Sequence, residues 1–147
     1  MIFETRQHHA ADVQDGPLTA TERSPAGDDE QAPDLAHTAQ ISNEMVRLYK
    51  SLFGRGPTRA RTSYAGPDTI LVTLEHSLTP AEQTLAEMGE HQRLRDVRMF
   101  FQYAREEDFR DVIERATGRQ VRAFISGIDT KQDVSVELFY LHPRPSD

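Results

Sequence analysis

The chain has 147 residues, 37% hydrophobic, 28% charged and 7% aromatic, which suits one modest core. Seventeen Lys plus Arg against 24 Asp plus Glu leave a formal charge of -7, which gives no basis for a sequence-blind grip on phosphate backbones, so nucleic acid is excluded as a partner. The absence of cysteine excludes disulfides, thiolate metal sites and a cysteine nucleophile, and no apolar run approaches the roughly 20 residues of a spanning helix.

Residues 1–38 hold eight acidic and two basic side chains, a net of -6, together with Pro17, Pro25 and Pro33. Met1 to Ala20 lacks the basic start and apolar centre of a signal peptide, so a cytoplasmic protein without direct membrane insertion is expected. No apolar periodicity follows Ile2 and Phe3, so this tail cannot offset its ordering cost and is expected to be disordered. It reads either as a mimic or tether, or as a solubilising extension. Residues 39–147, with 15 bases and 16 acids, form a single nearly neutral domain.

From Ala39, the apolar residues Ile41, Met45, Leu48 and Leu52 recur with helical spacing, and Val46, Tyr49 and Phe53 widen the stripe. Gly54 supplies a left-handed stop and Pro57 prevents resumption. Thr58 to Tyr64 and Thr69 to Glu75 flank Ala65-Gly66-Pro67-Asp68 and read as a hairpin, with Ile70, Val72 and Leu74 on the face to be buried. Thr79-Pro80-Ala81-Glu82 is a capping box with proline at the first helical position. Gly89 marks a break before a long helical stretch, about 90–117, whose stripe includes Leu94, Val97, Phe100, Phe101, Phe109, Val112 and Ile113. Its period slips near Arg105, and Gly118 ends it. Gln120 to Ser126 and Asp133 to Leu141 form a second hairpin.

This pattern predicts an α+β two-layer domain: an antiparallel four-stranded sheet of two hairpins with helices packed on one face, in the order α-β-β-α-α-β-β. In the last strand, Val134, Val136, Leu138 and Tyr140 alternate cleanly and are expected to face the helices. Phe124, Phe139 and Leu141 then fall on the outer face beside Ser135 and Glu137. An apolar outer face calls for a homodimer or another partner.

Candidate chemistry is sparse. Fifteen arginines against two lysines reflect either a genome rich in G and C or a function. Arg55, Arg59 and Arg61 surround Gly54 to Pro57, where exposed amides could help hold a small anion; alternatively Arg59 and Arg61 pair across strands with Glu75 or Glu137. Arg93, Arg95 and Arg98 read as a solvated, charge-paired helix face. The histidines lack metal-site spacing, no opposed carboxylate pair is present, and phosphate-loop, dinucleotide and nucleophile-elbow motifs are absent. No catalytic set, cofactor or metal is implied, and an enzyme is not expected.

The stretches ISNEMVRLYKSLFGRGPTRARTSY (41–64), LTPAE (78–82), VRMFFQYAREEDFRDVIERATGRQV (97–121) and DVSVELFYL (133–141) resemble the small bacterial MpsC family. That resemblance implies an accessory to a sodium-translocating, membrane-potential-generating or inorganic-carbon transport system, peripheral to the inner face of the membrane and partnered by a transport component. The family has no agreed catalytic residues to carry over.

Overall fold

The computed structural model describes residues 28–145, with side chains from 36 onward. The chain divides into units 1–33 and 34–147, and the second of these carries the whole sheet and every helix after the first. Most of the acidic tail, 1–27, lies outside the described residues. Helix α1 spans Asp28–Phe53, starting well before Ala39. It buries Ile41, Met45 and Tyr49 at successive four-residue steps, and Leu48, Leu52 and Phe53 pack beside them. Gly54 ends it at φ 83°, its amide donating to the Lys50 carbonyl over 2.8 Å.

Strands β1 (Arg59–Tyr64) and β2 (Thr69–Glu75) form the expected hairpin, pairing from Arg59↔Glu75 to Tyr64↔Ile70. Helix α2 (Pro80–Glu87) opens on the capping box: Thr79 Oγ1 accepts from the Glu82 amide at 3.2 Å, and Glu82 Oε1 accepts from the Thr79 amide at 2.9 Å. Thr79→Ala is expected to cost on the order of 1 kcal/mol, read as a lower urea midpoint with unchanged slope.

The long helical stretch is two helices: α3 (His91–Ala104) follows Gly89, and α4 (Glu106–Thr117) follows a break at Arg105. Gly118 caps α4 in the left-handed conformation, φ 71°. Strands β3 (Val121–Asp129) and β4 (Val134–Leu141) complete an antiparallel sheet of order β1-β2-β4-β3. The architecture is therefore α-β-β-α-α-α-β-β, an α+β domain with one more helix than the sequence pattern predicts.

Register corrects one expectation. Directly paired residues of an antiparallel sheet share a face. Ile70, Val72 and Leu74 of β2 are buried and pair with Phe139, Glu137 and Ser135 of β4. The inward face of β4 is thus Ser135, Glu137, Phe139 and Leu141, not the cleaner alternation Val134, Val136, Leu138, Tyr140. A bulge between Val121 and Ala123 lets both Val121 and Phe124 point inward. Phe124 (7% exposed), Phe139 (0%) and Leu141 (1%) are core residues and cannot be a partner surface. The outer face instead carries Leu71, Val136, Leu138 and Tyr140, half-buried, and the exposed Ile125.

Candidate functional site

Helix α3 turns two of its polar residues, Arg98 and Gln102, inward. Leu94, Arg98 and Gln102 succeed one another at four-residue steps and are fully buried. Val97, Phe100 and Phe101 stand outside, at 43%, 70% and 44% exposure. The helix therefore contributes to a polar cluster between itself and the sheet and to an aromatic patch on its outer flank.

The cluster begins with Arg98. Its Nε donates to Glu82 Oε2 at 2.6 Å and its Nη2 to Glu82 Oε1 at 2.7 Å, a bidentate pair, while Nη2 also reaches the Ser77 carbonyl at 2.8 Å. The guanidinium carbon lies 3.7 Å from the centroid of the Phe53 ring. Burial pushes the Glu82 carboxyl up, but hydrogen bonds from Arg98 and from the Thr79 amide more than offset it, leaving it below its ordinary value. One carboxylate thus both caps α2 and neutralises the buried cation.

One turn further on, Gln102 Nε2 donates to Glu137 Oε1 at 2.6 Å and to Ser126 Oγ. Tyr49 of α1 donates its hydroxyl to the same Glu137 oxygen at 2.6 Å. Glu137 Oε2, Ser135 Oγ and Gln102 Oε1 are buried without a hydrogen-bond partner among the described residues. Burial pushes the Glu137 carboxyl up to about 7, against the pull of the hydrogen bonds from Tyr49 and Gln102. Burial, followed by the charge of Glu137, holds the Tyr49 hydroxyl well above its ordinary value. The arrangement can hold a proton near neutral pH, in a setting where Tyr49, Gln102, Ser135 and Glu137 are all fully buried.

The patch on the outer flank of α3 is a chain of rings. Phe101 meets Phe53 edge-on at 6.5 Å, and Phe100 meets Phe101 edge-on at 5.7 Å. On the opposite flank, Tyr103 packs on Phe124, and its hydroxyl accepts from the Ser126 amide at 2.9 Å. Phe100 is left with most of its ring in solvent.

The arginines singled out from sequence lie apart in role. Arg55 donates to the Leu78 carbonyl, and Arg59 pairs with Glu75 across the strands at 3.4 Å. Arg61 has no ion pair among the described residues. The solvated reading holds for Arg93, paired with Glu90 at 3.8 Å, and for exposed Arg95, and fails at Arg98. His91 bonds Thr130 through Nδ1 at 2.8 Å, and no group of three potential metal ligands occurs among the described residues. Between α1 and α4 a groove of about 380 Å3 contains Glu44, Asp108 and Asp111, already engaged by Arg105 and Arg115.

Tyr49, Gln102, Ser126 and Glu137 escaped the sequence reading. The available signal was Leu94, Arg98 and Gln102 at four-residue spacing, a stripe passed over because Val97, Phe100 and Phe101 are more apolar.

A family model described as Na+-translocating membrane potential-generating system (MpsC) matches residues 35–143. The chain belongs to the MpsC family. No curated protein and no solved structure matches it. The family match takes in every strand and the whole of α2, α3 and α4, so both the buried cluster and the aromatic patch lie inside it. No helix among the described residues is long and apolar enough to cross a membrane.

Proposed function

We propose that this MpsC-family chain is a non-catalytic accessory protein of a Na+-translocating, membrane-potential-generating system, and that it docks on a protein component of that system through the outer flank of α3. The observation that carries the reading is the inversion of α3, with Phe100 and Phe101 in solvent and Arg98 and Gln102 buried. Solvent-facing aromatics on a helix that buries Arg98 and Gln102 instead add little to this chain's own core, and aromatic rings are the groups enriched at the centres of protein interfaces. The family description supplies the system to which the partner would belong.

The test is sedimentation of the purified chain with membranes from cells carrying the system. The parent should co-sediment. Phe100→Ser, at a ring 70% exposed, should keep the parent's melting temperature and lose the membranes. Shaving the membranes with protease should also abolish binding. Undiminished binding to shaved membranes or to protein-free liposomes would overturn the reading in favour of a lipid surface.

A further inference from the structure

The buried carboxyl of Glu137 and the exposed rings of α3 are joined by a continuous run of contacts. Tyr49, which donates to Glu137 Oε1, meets Phe53 edge-on at 5.5 Å. Phe53 in turn meets Phe101 at 6.5 Å, and Phe101 meets Phe100 at 5.7 Å. Arg98 enters the run at Phe53, its guanidinium carbon 3.7 Å from the ring centroid. Phe100 and Phe101 stand on α3 between Arg98 and Gln102, so the exposed rings and two of the groups around Glu137 share one helical turn. Packed rings on a shared helix carry a displacement from one end of the run to the other.

The groups around Glu137 decide what a proton does there. Tyr49 faces it from α1, Gln102 and Arg98 from α3 and Ser126 from β3; β2 sets the apolar Val72 opposite it in register, and α4 meets this corner through Phe109, edge-on to Tyr49 at 6.1 Å. Arg98 is the cation whose field reaches the carboxyl. Glu137 Oε2 and Gln102 Oε1 are buried acceptors without a donor among the described residues, so the cluster has acceptors to spare. A protonated carboxyl adds an O–H to it. An ionised one adds a buried charge while Arg98 is already held by Glu82 in a bidentate pair. Two carboxylates then compete for one guanidinium that also packs on Phe53. Protonation of Glu137 therefore favours the observed arrangement, with Arg98 on Glu82 and against the Phe53 ring.

We propose that docking at the α3 flank is proton-linked: the chain with Glu137 protonated holds its partner, and ionisation of Glu137 draws on Arg98 and Tyr49, shifts Phe53 and Phe101, and releases it. Such regulation rests on the docking role proposed for the α3 flank. Burial holds the Glu137 carboxyl at about 7, which sets the switch near neutral pH. Linkage is reciprocal, so the bound partner raises the affinity of Glu137 for its proton.

The first test needs no partner. A para-fluorinated phenylalanine at position 101 of the full chain should give a fluorine resonance that titrates with a midpoint of about 7, and Glu137→Gln should remove that titration. Phe53→Leu, which takes out the ring between Tyr49 and Phe101, should shrink it severalfold. The second test is sedimentation with membranes from cells carrying the system, at about pH 6 and about pH 8 and well below the melting temperature at both. The parent should bind about fivefold more weakly at the higher pH, and Glu137→Gln should bind equally at the two. A resonance that does not titrate, or that still titrates in Glu137→Gln, would overturn the proposal. Equal binding of the parent at the two pH values, or a pH dependence kept by Glu137→Gln, would also overturn it and leave the docking itself standing. A parent that sediments at neither pH would overturn the docking role, and this regulation with it.

Discussion

Replacing Arg98 by methionine lowers the stability of the domain by about 3–5 kcal/mol, the range for stripping one partner from a buried ion pair. Arg98 is fully buried, and its loss leaves Glu82, the Ser77 carbonyl and the face of Phe53 without their partner. The effect is read as a shift in the urea midpoint. Much of it should return in the double variant Arg98→Met, Glu82→Gln, because the glutamine removes the stranded charge and still completes the capping box with Thr79. A loss below about 1 kcal/mol in the single variant would mean that the pair is solvated and α3 lies differently.

The second large effect is a fall in stability as pH rises. Glu137 has an ordinary value of 4.5 and is held at about 7 in the folded chain, so the folded state binds its proton more tightly than the unfolded state. The stabilisation is complete below about pH 4.5 and is lost as pH passes through 7. It amounts to something on the order of 3 kcal/mol between pH 5 and 8. Glu82, held below its ordinary value, acts in the opposite sense and only in more acidic solution. Glu137→Gln should flatten the profile, matching the parent near pH 5 and exceeding its stability at pH 8. Denaturation midpoints of the two proteins across this range decide it, and parallel profiles would show that Glu137 is already ionised at pH 5.

Much of the fold was legible because local signals agreed with it. Gly54, Gly89 and Gly118 marked helix ends, Thr79 with Glu82 marked a helix start, and Ile70, Val72 and Leu74 marked a buried strand face. The errors came where hydropathy and tertiary pairing disagreed. In β4 both faces alternate, and the less apolar set, Ser135, Glu137, Phe139 and Leu141, is the buried one because it pairs with Ile70, Val72 and Leu74. In α3 the same conflict hid the polar cluster: an arginine and a glutamine are buried only when Glu82, Ser77, Tyr49 and Ser126 arrive from other elements to satisfy them, and spacing along one helix carries no record of those partners. The exposure of Phe100 was likewise invisible, since an apolar residue at helical spacing reads as core.

Photo-crosslinking from position 100 in cells that carry the membrane-potential-generating system tests the account most directly. A photoreactive phenylalanine analogue there, with position 122 on the outer sheet face as control, is expected to give an adduct with one protein component of that system from position 100 alone. Adducts only with a second copy of the chain, or with lipid, would contradict it.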